Sequence, residues 1–278
     1  MSHRMSRRHF LAATSLAMPT IAMGFESEPP PAKPTSSEVA AKSTAGVVAP
    51  ADLYPAQPPD LVREMVTVAH FNLARVKELV GAHPSLAKAT WDWGFGDWES
   101  ALGAASHMGN RPIAEFLLSN GAHPSIFSAT MLGQLDVVKA FVAAQPGVQR
   151  TAGPHSISLL AHAKAGGANA RPVFEFLQSL GDADASAEAP LPDEVRSAIL
   201  GSYSFGSGPT QQVDVTFEKG KLIWTRKGTT GRFLFHLGDQ VFYPGGAPAV
   251  RISFTEEAGV RVMTVNDPDV VLVAKMSR

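Results

Sequence analysis

The sequence predicts an α + β chain of two domains, an array of paired α-helices followed by a small antiparallel β-barrel. Two changes of period carry this reading. From Asp60 the apolar residues recur at helical spacing, as Leu61, Met65 and Val68, then Leu73, Val76, Leu79 and Val80. That is one face of a 3.6-residue period, broken once near Phe71-Asn72, so two helices joined by a tight turn. From about Leu200 the period becomes alternation, as in Val213, Val215 and Phe217, with turn residues between short runs. A chain of 278 residues has room for two modest domains.

Composition narrows the function classes. Apolar residues make up 45% and charged residues 18%, an ordinary globular balance. The net charge is −1, and no basic block follows the first eight positions, so a nucleic-acid partner is not expected. There is no cysteine. That removes disulfides, thiolate nucleophiles and Cys-ligated metals together.

Two segments precede the helices. Residues 1–25 read as an export signal: Arg4, Arg7 and Arg8 precede an apolar run from Phe10 to Phe25, with no acid before Glu26. The run is short for a membrane span, which needs about 20 apolar residues. Ser6, Arg7, Arg8, Phe10 and Leu11 resemble the bacterial twin-arginine signal. The resemblance implies export of a folded protein, a periplasmic or secreted location, and no stable span once the signal is cleaved, with Ala22-Met23-Gly24 as the small-x-small site. An ordinary secretory signal is the alternative. Residues 26–58 are rich in Pro, Ala and Ser with few large apolar residues. Such a stretch cannot bury enough surface to offset its ordering entropy and reads as a linker.

The helical domain spans 59–184 and repeats its plan about four times. In the second unit, Ser100-Ala101-Leu102-Gly103 opens a helix, Ala105 offers a small packing surface, Gly109-Asn110 makes the turn and Gly121-Ala122 closes the unit. This resembles an ankyrin repeat of a diverged bacterial type, with Ser, Ala and Gly where that family prefers Thr, Pro and His. A third unit carries Ala129, Gly133, Val137, Val138 and Phe141, and a fourth Leu160, Ala163, Gly167 and Gly181-Asp182. The first has Phe71 at the turn position. The turn positions 71, 109, 133 and 167 are separated by 38, 24 and 34 residues, against about 33 in the family. The third unit therefore has almost no finger before it, whereas the finger before the second is enlarged. That enlarged finger holds Trp91, Trp93 and Trp98, three of the four tryptophans.

The β domain spans 196–278, with seven or eight short strands. Val213, Val215, Phe217, Leu222 and Trp224 are expected to face one interior. Turns are expected at Glu218-Lys219-Gly220-Lys221, around Gly238-Asp239 and at Asn266-Asp267-Pro268-Asp269. The order Leu200-Gly201-x-Tyr203, then Val215 to Leu222, then Val241-Phe242-Tyr243-Pro244-Gly245 resembles the small lipocalin-like domain appended to serine hydrolases of the β-lactamase type. Ser85-x-x-Lys88 fits the nucleophile motif of those hydrolases, but no Ser-Asp-Asn or Lys-Thr-Gly follows, and no other catalytic fingerprint occurs.

Chemistry is sparse elsewhere. His70, His107, His155 and His162 are the histidines worth weighing, none of them paired four residues apart on a helix. The expectation is that they stiffen fingers by bonding to backbone, with no metal and no cofactor. In the enlarged finger, Trp91, Trp93 and Phe95 would share one side of an extended segment, flanked by Asp92 and Asp97. They are either packing for the first helix pairs or a ledge for a partner, where tryptophan is an efficient anchor. The expected function is non-catalytic binding of a protein or peptide partner through fingers and concave face. The candidate residues are Trp91, Asp92, Trp93, Phe95, Asp97, Trp98, His107 and His155. Two alternatives stay open: a small apolar ligand held in the barrel or the Trp-rich finger, and a metal-assisted hydrolase using His107, His155 and Asp97.

Overall fold

The computed structural model describes residues 56–184, 188–268 and 270–277. The expected export signal, with Arg7, Arg8, Phe10 and Leu11, and nearly all of the expected linker lie outside the described residues.

Helices α1 (Pro59–Val68) and α2 (Leu73–Ala82) form the first pair. Proline at the first position suits the start of α1, where no N–H partner is needed. Asn72 starts α2 by accepting from the Arg75 N–H. Met65, Val66, Val76, Leu79 and Val80 line their shared buried face. A short 3-10 turn, Pro84–Lys88, leads into β1 (Thr90–Asp92), which pairs antiparallel with β2 (Trp98–Ser100). Ser100 then caps α3 (Ala101–His107) by accepting from the Gly103 N–H, and Asn110 caps α4 (Arg111–Ser119). Two further pairs follow, α5 (Ile126–Met131) with α6 (Leu135–Ala144) and α7 (Leu159–Ala165) with α8 (Arg171–Ser179).

The turn glycines are required for two reasons at once. Gly109 and Gly133 have φ of +69° and +77°, and a Cβ at either would overlap a carbonyl of the 165–169 segment, that of Ala165 or Asn169. Their chain thus approaches the turn between α7 and α8 at backbone distance.

The enlarged finger is not the extended row expected of it. It is a hairpin whose tip, Gly94-Phe95-Gly96, has positive φ throughout. The tip breaks the alternation and sends the aromatics three ways. Trp91 and Trp93 pack on the core of the first helix pairs. Phe95 points to the barrel core, 6.1 Å from the Trp224 ring, and Trp98 is 62% exposed.

Helix α9 (Asp193–Ile199) buries Ile199 and packs Val195 against the barrel, so this part of the fold begins slightly before the expected boundary. Eight strands follow: β3 (Gly201–Ser204), β4 (Gln212–Glu218), β5 (Lys221–Arg226), β6 (Arg232–Gly238), β7 (Val241–Pro244), β8 (Arg251–Glu257), β9 (Val260–Asp267) and β10 (Val270–Met276). They close in the order β10-β3-β4-β5-β6-β7-β8-β9, all antiparallel. Lys219-Gly220 turns between β4 and β5 with positive φ at both residues, the conformation whose twist matches paired strands. The next turn is Asp239-Gln240, one residue later than expected, because the ladder shifts register between His236 and Gly238. Tyr203, Val213, Val215, Leu222, Trp224, Phe242 and Ile252 fill the interior. Phe217 does not join them. It lies near the end of β4, half exposed, with the Arg196 guanidinium 4.5 Å above its ring.

Candidate metal centre

Four side chains from separate parts of the helical region meet at one point. His70 follows the last turn of α1, and Glu99 is the middle residue of β2. His107 ends α3. His155 sits in the turn Pro154–Ser156 before α7. Register explains why Glu99 points inward. It lies opposite Trp91, and facing residues of an antiparallel pair share a side. Trp91 faces the helical core, so Glu99 does too, with no exposure, while its neighbour Trp98 points outward.

The donor atoms are close. His107 Nε2 lies 2.8 Å from Glu99 Oε1 and 3.2 Å from His70 Nε2. Glu99 Oε2 is 3.5 Å from His70 Nε2 and 3.4 Å from His155 Nε2. One ligand atom from each of the four residues lies within 4.8 Å of the others. A tetrahedral ion with bonds of about 2.0–2.1 Å holds its ligand atoms about 3.3–3.4 Å apart. Three of the four measured separations fall close to that edge.

The remote ring nitrogens are anchored. His70 Nδ1 is 3.0 Å from the carbonyl oxygens of both Val66 and Thr67. His155 Nδ1 is 2.8 Å from Asp97 Oδ2. An Nδ1–H donated outward turns Nε2 inward, where its lone pair would serve a metal once the Nε2 proton is released, the arrangement that metal-binding histidines use. Trp93 Nε1 donates to Glu99 Oε2 at 2.8 Å and fixes the carboxylate.

Electrostatics follow from burial and proximity. Burial opposes the charge on Glu99, but hydrogen bonds with His107 and His155 and the charge of His155 outweigh it and hold the carboxyl at about 2. Burial likewise disfavours a charged His155, yet Asp97 and Glu99 raise it to about 9. His162, outside the cluster with its ring 6.4 Å from that of His107, goes the other way. Burial lowers it to about 4, against the Ser158 carbonyl that its Nδ1 meets at 2.8 Å.

His155 itself is held in the left-handed region at φ 59°, followed by Ser156 at φ 62°. Two such residues in succession need compensation. Asp97 Oδ1 accepts the His155 N–H at 2.9 Å, and Ser156 Oγ accepts from the Gly246 N–H at 2.8 Å. Asp97 is itself fully enclosed. The Arg232 guanidinium, from β6, stands 3.3 Å from Asp97 Oδ2 and donates to the carbonyls of Trp93, Gly94 and Gly245. A Cβ at Gly246 would overlap the Asp97 carboxylate, so only glycine fits against it.

No known protein guides the reading. Comparison of the chain with family models, with curated proteins and with solved structures found no match in any of the three. The chemistry must be read from the donors alone. Three imidazole nitrogens and one carboxylate oxygen suit a borderline divalent ion such as zinc or iron. They suit neither an all-oxygen calcium or magnesium cage nor a thiolate centre.

The expected site residues scatter around this centre. His107 and His155 are in it. Asp97 anchors His155 and belongs to the surround of the donors. Trp93 anchors Glu99. Asp92 accepts from the Gly94 N–H and shapes the hairpin tip. Trp91 and Phe95 pack, and Trp98 walls a shallow cleft of about 300 Å³ with Asp97, Phe127, Pro154 and Pro248. The expectation that histidines bond to finger backbone holds for His162, whose Nδ1 meets the Ser158 carbonyl just before its helix, and not for the others: His70 meets carbonyls of the helix before it, and His107 and His155 meet carboxylates. Ser85 accepts from Gln57 in the 3-10 turn, away from the cluster. His70 and Glu99, which complete the donors, are not among the candidate residues that the sequence points to. Nothing local marks an acid between Trp98 and a capping serine as a ligand. Only the strand register, which puts it opposite Trp91, does so.

Proposed function

We propose that this protein binds one divalent transition metal, zinc before the others, through His70, Glu99, His107 and His155. The observation that carries the reading is the convergence of three histidine Nε2 atoms on a fully buried carboxylate, with the far side of two rings already anchored. A buried acid among histidines is costly to assemble unless something draws on all the lone pairs at once. The side chains of His70 and His155 are 20% and 33% exposed, so an ion enters and exchanges from their side.

The test is direct. The full chain, purified without chelator and then titrated with zinc after chelator treatment, is expected to take up one equivalent. Glu99→Gln and His107→Ala are expected to lose it, and Trp98→Ala to retain it. Failure of the wild-type chain to bind zinc at micromolar concentration overturns the reading.

In the same proposal the helix pairs are a diverged ankyrin-like stack, the barrel is lipocalin-like, and the N-terminal segment is an export signal that carries the folded protein to the periplasm. Cell fractionation and the N-terminal sequence of the mature chain test the last part. A partner-binding reading has one observation in its favour, the exposure of Trp98 beside the cleft. Loss of a captured periplasmic partner in Trp98→Ala, with zinc binding intact, supports it.

A further inference from the structure

We infer that Arg232, on the barrel, is a positioning residue of the metal centre, so that docking of the barrel and affinity for the metal are one coupled equilibrium. This rests on the metal reading above. Arg232 touches none of the four donors. It reaches two of their anchors. Through Nη1 it stands 3.3 Å from Asp97 Oδ2, the same oxygen that meets His155 Nδ1. Through Nη2 it donates to the Trp93 and Gly94 carbonyls at 2.7 and 3.1 Å, which fixes the hairpin residue whose indole holds Glu99. Thus one guanidinium, 77 residues from His155 and 133 from Glu99 along the chain, sets the orientation of both ligands.

Three features make this a coupling and not a casual contact. The Asp97 side chain is 1% exposed and Arg232 13%. Without Arg232 that carboxylate would stay buried and lose its guanidinium partner, leaving His155 to hold it alone. The bonds of Arg232 go to a carboxylate and three carbonyls, a set that the planar five-donor fork serves and a lysine ammonium does not. The barrel also closes on the site by contact: Gly246 lies against Asp97, its N–H donates to Ser156 Oγ, and Phe95 at the hairpin tip meets Trp224 of the barrel core. Whatever lifts the barrel off removes the support of Asp97 and of the hairpin together. By linkage, an ion that needs those residues in place strengthens barrel docking by the same factor.

The experiment compares zinc affinity of the wild-type chain with Arg232→Met, Arg232→Lys and Arg226→Met. Arg226 bonds the Thr210 carbonyl elsewhere on the barrel and serves as the control. Loss of an outer-shell partner typically costs about 10–100-fold in metal affinity. Arg232→Met is expected to weaken zinc binding by that factor, Arg232→Lys to recover little of it, and Arg226→Met to match the wild type. Cobalt loaded in place of zinc is expected to show altered visible absorption bands in both Arg232 variants, a change that mere destabilisation would not produce. Hydrogen exchange supplies the reciprocal measurement in the unmutated protein: zinc is expected to slow the amides of residues 245 and 246. Wild-type affinity and an unaltered cobalt spectrum in Arg232→Met would overturn the inference and leave the metal reading standing. Unchanged exchange at 245 and 246 in a zinc-loaded wild type overturns it equally, without a variant. Absence of zinc binding by the wild type defeats the metal reading itself.

Discussion

His162 makes the metal-free protein acid-labile, by an amount the structure sets. Its ring is fully buried, Nδ1 donates to the Ser158 carbonyl, and Nε2 has no partner. Phe127 lies over the ring at 5.0 Å and His107 stands 6.4 Å away, so a proton added at Nε2 meets apolar surface and another histidine. Burial is the larger cause, and it lowers the group from 6.5 to about 4. A histidine depressed in the folded state stabilises fully above its unfolded value and loses that contribution as pH falls. The window therefore runs from about 6.5 down to about 4. Linkage over it gives a loss of about 2 kcal/mol between pH 7 and pH 4.5. The assay is urea unfolding with chelator present at the two pH values, for wild type and His162→Leu. The variant loses the Ser158 bond, about 1 kcal/mol at neutral pH, but it should lack this share of the acid loss. Its stability should approach or exceed that of the wild type at pH 4.5. Equal acid sensitivity of the two proteins would falsify the assignment of a buried neutral ring.

Other outcomes follow from the same structure. Zinc at about 100 times its dissociation constant stabilises by about 2.7 kcal/mol, which for a folded part of this size raises Tm by roughly 5–10 °C. Glu99→Gln should show no such shift in a melting scan. Gly133→Ala should destabilise by about 2 kcal/mol or more, since it adds left-handed strain to an overlap with the Asn169 carbonyl. A chevron or urea curve indistinguishable from wild type would refute the close approach. Phe95→Ala, which removes the ring packed on Trp224, should cost about 1–3 kcal/mol and move tryptophan emission to the red. Ser100→Ala removes the cap of α3 and should cost about 1 kcal/mol by thermal unfolding.

Much of the fold is local, and local signals are legible. The helices of the first pair are separated where the period breaks at Phe71-Asn72. Gly109 and Gly133 mark turns because their φ values admit little else. The hairpin at Lys219-Gly220 is readable for the same reason. The tip of the finger was not legible. Glycines on either side of Phe95 are compatible with an extended row and with a tight reversal, and the barrel that receives Phe95 decides between them. Phe217 has the right parity for the barrel interior, but its place near the strand end leaves it under Arg196.

The candidate site was legible only in fragments. His107, His155 and Asp97 stood together in one of the readings open from the sequence, because they are titratable residues in fingers and helix ends. Their roles were not: Asp97 supports, and Glu99 and His70 complete the donors. By itself, the sequence determined the period of each segment, the turn residues, and the absence of thiol chemistry. Those depend on neighbours a few positions away. Tertiary structure alone decided that Glu99, His107, His70 and His155 share one point and that Arg232 stands behind them. Convergence depends on strand register and on the docking of the barrel, which sum many weak contacts between residues far apart in the chain and leave no periodic trace at any one of them.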